Sequence, residues 1–354
     1  MDSAGFPVYG QQGQSESEEK CNSQELKGMA AGCMLNRARE SKMEIPDESG
    51  TVLGIVPVIP TPFTESQDVD LTALDPLVRF AVESGAGAVC LPAYGSEFYK
   101  LSEQEKFDVI ESAVRCAGGR IRVMGQSNHG SARLASEIAK RNAGLGADII
   151  SFALPRQFAY GEEALLRYAE AICKAVSVPV LVQDFNPGGA SVGAEFAKRL
   201  TEAAPNFRYL KLEEPGIGPK VQAIREATHD SVGVLVGWGG MYLAELFPAG
   251  LAGVMPGLPL CDLFVLLWNL LQSGDNEAAL SLHALMLPQI MLALRNMELF
   301  HHVDKRLLKA RGLMRNAVVR EPTNVPDEST SAHIECVNRL ALEQVSRYAS
   351  TPPR

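Results

Sequence analysis

Phe207-Arg208-Tyr209-Leu210-Lys211-Leu212-Glu213-Glu214 is a short apolar run with a lysine set into it. Side chains alternate faces along a strand, so Phe207, Tyr209 and Lys211 share one face and Leu210 and Leu212 the other. If the two leucines pack beneath helices, Lys211 points the opposite way, into whatever the sheet encloses. The runs on either side indicate what that is. Val52–Ile59, Ala88–Leu91, Ile121–Met124, Asp148–Leu154 and Val178–Val182 precede it; Val232–Val236 and Gly250–Met255 follow. All are apolar and short enough for strands. Segments with helical spacing lie between them, among them Leu71–Ser84, Glu103–Ala117, Ala132–Ala143 and Glu162–Ala175, with joins containing Gly or Pro. Strand–helix alternation builds a parallel sheet through right-handed crossovers. Eight such runs fit an α/β fold of the closed (β/α)8 barrel type better than an open sheet. No G-x-G-x-x-G opens a helix after the first run, so a dinucleotide fold has little support.

Beyond the eighth run, Leu258–Leu271, Glu277–Leu294 and Val303–Leu313 read as three helices, more than one barrel unit requires. The expected organisation is a barrel over 51–257, a helical appendix over 258–322, and a tail over 323–354 with a helix at Ser331–Tyr348. Residues 1–50 differ: Gln11–Lys20 is polar and acidic with no apolar period, which predicts a disordered extension with a short helix near Gln24–Glu40. That region lacks the apolar core of a secretory signal, and its acidic residues argue against an Arg-rich transit peptide.

The 354 residues, 46% hydrophobic and 21% charged, suit one barrel with additions. The net charge of −9 argues against nucleic acid or an anionic membrane as partner. No apolar run approaches the roughly 18 residues of a membrane span. The seven cysteines are scattered, odd in number and without C-x-x-C, as expected of reduced thiols in a cytoplasmic protein. The six histidines show no H-E-x-x-H spacing, so no metal site is expected.

In a (β/α)8 barrel the chemistry sits at strand C-termini and the loops after them. Lys211 is the first candidate there. Desolvation favours the neutral amine, which can attack a ketone and form a Schiff base. The alternative is a structural lysine paired with Glu213 or another carboxylate. Leu91-Pro92-Ala93-Tyr94-Gly95-Ser96-Glu97 is the second: its small-residue turn can offer backbone N–H groups to a carboxylate, with hydroxyls from Tyr94 and Ser96. It also reads as an ordinary turn with Glu97 near a helix start. Third, Gln183 and Asp184 are adjacent polar residues ending a strand, and one of them should face inward to hydrogen-bond or move a proton. Fourth, the glycines of Gly237-Trp238-Gly239-Gly240 would let a substrate approach backbone, while Trp238 walls the pocket or packs.

Taken together, Thr61-Pro62-Phe63 with Val69-Asp70, Gly95–Leu101 leading into Ser102-x-x-Glu105, Gly146-Ala147-Asp148, Tyr209–Glu213, Gly250–Met255, Lys305, Gly312 and Arg320-Glu321-Pro322 form a pattern. Residues 52–322 resemble the dihydrodipicolinate synthase / N-acetylneuraminate lyase family of class I Schiff-base aldolases. The resemblance implies Lys211 as the imine-forming lysine, pyruvate or a related 2-oxo acid as substrate, no cofactor, and a homo-oligomer, tetramer or dimer. It implies carboxylate binding at Ala93, Gly95, Ser96 and Glu97. Other positions depart from the pattern. The family's second-strand G-T-T-G-E is replaced by Ala93–Glu97. Its fifth-strand tyrosine, a proton relay, is replaced by Gln183 or Asp184, depending on the gap. Its P-Y-Y motif is replaced near Pro155-Arg156-Gln157, and Gly188-Gly189 stand where the synthase has an arginine. The leading expectation is a lyase or aldolase with Tyr94, Gln183 or Asp184 assisting proton transfer. A sugar-acid dehydratase using the same imine and a non-catalytic barrel are the alternatives.

Overall fold

The computed structural model describes residues 52–186 and 189–349. The expected 1–50 extension, with its short helix, lies outside the described residues.

Eight parallel strands form one sheet: β1 Gly54–Ile55, β2 Ala88–Leu91, β3 Arg122–Gln126, β4 Ile149–Ala153, β5 Val180–Asp184, β6 Phe207–Leu212, β7 Gly233–Val236 and β8 Gly253–Val254. β1 pairs with β8, and neighbours run in sequence order down to β2. The seam between β1 and β2 is closed beyond the strands proper. Val58 bridges Cys90, the Gly87 N–H donates to Ile55 O at 2.9 Å, and the Cys90 N–H donates to Pro57 O at 3.0 Å. Close approach at this seam requires glycine, since a Cβ on Gly87 would lie 1.8 Å from Leu53 O.

Helices follow the strands as α1 Leu74–Ser84, α2 Glu103–Ala117, α3 Ala132–Gly144, α4 Glu162–Cys173, α5 Ala194–Ala203, α6 Gly218–Ala227 and the short α7 Leu243–Leu246. Local chemistry sets their ends. At α2, the Ser102 hydroxyl accepts the Glu105 N–H while the Glu105 carboxylate accepts the Ser102 N–H, a capping box. The apolar stripes of these helices meet the outward leucines, valines and isoleucines of the strands in one continuous core. A smaller inner core fills the barrel with Leu53, Val56, Met124, Ile149, Leu181 and Leu235.

The structure corrects two boundaries. Cys261–Ser273, α8, packs on β1 and α1 and is the ring's eighth helix, so the appendix begins after it. The appendix consists of α9 Asn276–Ala293, α10 Met297–Ala310 and α11 Glu328–Ala349. α10 also starts six residues earlier than the expected Val303, because Asn296 accepts the Leu299 N–H at 2.8 Å and caps it there.

The strict alternation read along β6 also needs amendment. Val180 pairs with Phe207, but Leu181 pairs with Tyr209, so the register shifts at Arg208. One extra residue reverses the faces before it. Phe207 therefore packs outward with Leu210 and Leu212, whereas Tyr209 lies in the inner core.

Candidate active site

Three strand ends bring the central residues together. Lys211 on β6 lies in register with Gln183 on β5 and with Leu235 on β7. Period-2 alternation then puts Glu213, two residues on, over the same face as Lys211. Lys211 Nζ is 3.2 Å from Glu213 Oε1. Gln183 Nε2 donates to Glu213 Oε2 at 2.8 Å, and Gln183 Oε1 accepts from Gln126 Nε2 at 3.1 Å. The carboxylate is thus held from both sides, by an amide and by the ammonium. Gly237 at the end of β7 makes room for it: a Cβ there would fall 2.0 Å from Glu213 Oε1.

Lys211, Glu213 and Gln183 open onto a cavity of about 580 Å³ at the C-terminal end of the barrel. The turn Tyr94–Ser96 after β2 forms one wall, with Ala93, Tyr94 and Gly95 on the cavity. The N–H groups that open such a turn have no acceptor within it, so those of Tyr94 and Gly95 are available to a carboxylate. The Tyr94 ring stands edge-on to Phe98 at 5.0 Å. Burial, and then the nearby Glu213, push its phenol up from the ordinary value, so it stays protonated near neutral pH. Trp238 and Gly239 line the β7 side, and the α9–α10 junction, from Ala293 to Phe300, forms the roof. Beneath, Cys90 is buried beside Ser151, and burial pushes its thiol up to about 11. It is a neutral filler.

Residues 51–338 match the profile of the Dihydrodipicolinate synthetase family. The chain belongs to that family. As a member of this family of Schiff-base lyases, the protein is an enzyme of the carbon–carbon or carbon–oxygen lyase class. An L-2-keto-3-deoxyarabonate dehydratase of Azospirillum brasilense is 24% identical over 300 residues, 84% of this chain and 96% of that protein. A 4-hydroxy-tetrahydrodipicolinate synthase of Halalkalibacterium halodurans is 30% identical over 150 residues, 42% of this chain and 50% of that protein. The barrel superposes on a solved dihydrodipicolinic acid synthase family protein of E. coli K12 in complex with pyruvate, YagE, with a TM-score of 0.75 at 22% identity, covering 82% of this chain and 99% of that one. The synthase of Methylacidiphilum fumariolicum SolV gives a TM-score of 0.76 at 21% identity, covering 85% and 99%.

Within this family member, the remaining candidates separate. Asp184 does not face the cavity. It is fully buried on the opposite face of β5, where Arg156 Nε and Nη2 donate to its two oxygens at 2.8 and 2.5 Å and the Val192 N–H donates at 2.7 Å. It fastens the β4 and β5 loops. The Ser96 hydroxyl is engaged too, donating to Ile59 O at 2.5 Å and accepting the Ala93 N–H at 2.9 Å. Glu97 takes a left-handed backbone, φ 58°, that turns it away from the cavity. Its carboxylate meets Lys305 at 2.5 Å, Lys100 at 3.1 Å and the Arg320 N–H at 3.0 Å. The expected substrate-binding roles of Ser96 and Glu97 are thus corrected to anchoring ones. Gly237 acts by its missing side chain and is not itself on the cavity wall. Glu213 entered the sequence reading only as a neutralising partner; its spacing of two from Lys211 was the signal that it shares the cavity.

Proposed function

We propose that Lys211 condenses with the ketone of pyruvate or a related 2-oxo acid, and that carbon–carbon cleavage or formation proceeds through the lysine imine. The observation that carries this is the Lys211–Glu213 pair, held at 3.2 Å and open to the cavity at the strand C-termini. Glu213 takes a proton from the ammonium, the free amine adds to C2, and the Glu213 carboxyl returns that proton to the carbinolamine hydroxyl, which leaves as water and restores the carboxylate. In the cleavage direction, a C4 hydroxyl gives its proton to the Glu213 carboxylate and the C3–C4 bond breaks. The electron pair passes into the iminium as an enamine while an aldehyde departs. The same carboxyl returns the proton to C3, and water hydrolyses the imine to release pyruvate. Backbone N–H groups of Tyr94 and Gly95 hold the substrate carboxylate, and the protonated Tyr94 phenol donates to a developing oxyanion. Gln183 orients Glu213, the position from which the family tyrosine is missing.

A dehydratase reading is favoured by the dehydratase of Azospirillum brasilense, which aligns over 96% of its length. In that reading Glu213 protonates the leaving hydroxyl instead. Self-association as a tetramer or dimer belongs to the same proposal and is measured by light scattering. So does a cytoplasmic location, which the five unpaired described cysteines fit.

Intact-protein mass spectrometry after borohydride reduction with pyruvate tests the reading. A pyruvate-sized adduct that vanishes in Lys211→Ala is the expected result. Failure to trap pyruvate or any longer 2-oxo acid would leave a non-catalytic barrel.

A further inference from the structure

We propose that the substrate is a 2-oxo monocarboxylate with an apolar tail the size of an aromatic ring; this rests on the imine chemistry proposed for Lys211. A cavity of about 580 Å³ is far larger than a three-carbon acid needs. Much of its lining is apolar. Phe98, Phe185, Met255, Leu294, Met297 and Phe300 are among the side chains that line it. Among the described residues that line it, Lys211 and Glu213 are the only charged ones, and they face each other.

A second carboxylate on the substrate would therefore have no cation to meet, and Glu213 would repel it. Cationic side chains beside the wall are committed elsewhere: Lys106, 5.5 Å over the Phe98 ring, pairs with Glu103 at 2.7 Å. Lys100 is buried between Glu97 and Glu298, at 3.1 and 2.7 Å. Arg156 lines a neighbouring cleft of about 130 Å³, gripped by Asp184. Desolvating an unpaired carboxylate is strongly unfavourable. A polyhydroxylated tail fares little better. The Tyr99 hydroxyl is held by Glu298 at 2.6 Å and His301 at 2.9 Å, and Asn296 Oδ1 is taken by the α10 cap. Gln157 and the unpartnered Trp238 Nε1 are among the few polar groups on the wall for such a tail. Apolar burial remains the available source of discrimination, and each well-fitted methylene contributes about 1–3 kcal/mol, or 10- to 200-fold.

The test separates the tail from the imine. Borohydride trapping is titrated with three 2-oxo acids that cannot be cleaved: pyruvate, 2-oxoglutarate and 2-oxo-4-phenylbutanoate. The concentration giving half-maximal adduct on Lys211 is read by mass spectrometry. 2-Oxo-4-phenylbutanoate is expected to half-saturate at a concentration at least about tenfold below pyruvate, with 2-oxoglutarate the weakest. Met297→Arg, which sets a cation at the mouth without touching the lysine, should strengthen 2-oxoglutarate and weaken the phenyl compound. If 2-oxoglutarate half-saturates at or below the phenyl compound in the unaltered enzyme, the apolar tail is overturned while the imine stands. Absence of a Lys211 adduct with all three overturns the imine reading itself.

Discussion

Two of the lysine–glutamate pairs in this fold, Lys305–Glu97 and Lys211–Glu213, are built differently. Lys305 and Glu97 are both wholly buried and 2.5 Å apart. Every remaining partner is protein: Val318 O accepts from Lys305 at 2.8 Å, while Lys100 and the Arg320 N–H complete Glu97. Lys211 and Glu213 stand further apart at 3.2 Å, hold fewer partners, and face the cavity. Burial lowers the Lys305 ammonium to about 8 against the pull of Glu97. By depressed basicity alone Lys305 would pass for an activated amine. It does not line the cavity that Lys211 faces. Access and unfilled hydrogen-bonding capacity distinguish the reactive pair from the structural one.

Substitutions sharpen this contrast. Lys211→Ala should lower kcat/KM by on the order of 10⁴-fold or more while leaving the denaturant midpoint close to that of the unaltered protein. Lys305→Met should do the reverse. It removes the wholly buried partner of Glu97, which keeps Lys100 and the Arg320 N–H, and should cost about 3 kcal/mol in urea unfolding, with residual activity tracking the folded fraction. If instead Lys305→Met abolishes imine trapping in protein shown to be folded, the division of labour is wrong. Glu213→Gln keeps the shape but removes the proton acceptor, and should reduce kcat by about 10²–10⁴-fold. Trapping should survive more slowly, a split that a purely structural role would not produce.

The smallest effect concerns the appendix. Asp304 on α10 is fully buried with Gln289 Nε2 at 3.1 Å, and burial raises its carboxyl from 3.8 to about 7. A raised carboxyl pKa means the folded state binds a proton that the unfolded state has released. Stability is therefore lost as pH rises from about 4 towards 7. Asp304→Asn cannot ionise. Its stability relative to the parent should grow by about 1 kcal/mol or more across that window, read as a widening gap in Tm.

Much of the architecture was legible because it rests on period. The runs that became β2 and β6 were read with their observed ends, and α2 likewise. Lys211 was legible for the same reason, as a lysine two residues beyond an inward Tyr209. The misread Phe207 shows where period fails, since a bulge at Arg208 is fixed by pairing with β5 and leaves no mark in composition. The choice between Gln183 and Asp184 likewise waited on register with Lys211. Ser96 and Glu97 were placed in the correct loop but on the wrong side of it. Their orientation depends on Ile59, Lys305 and Arg320, which are distant in sequence.

The Glu97–Arg320 contact has a consequence for the order in which the protein is made. The loop that frames the cavity is encoded early, yet its anchor lies 223 residues downstream. At about 5–20 residues per second, the nascent chain waits some ten seconds or longer for that anchor. During this interval the Glu97 carboxylate lacks both Lys305 and the Arg320 N–H, and the barrel mouth is unfinished. A chain ending before residue 305 would carry all eight strands while the Glu97 carboxylate lacked both of those partners.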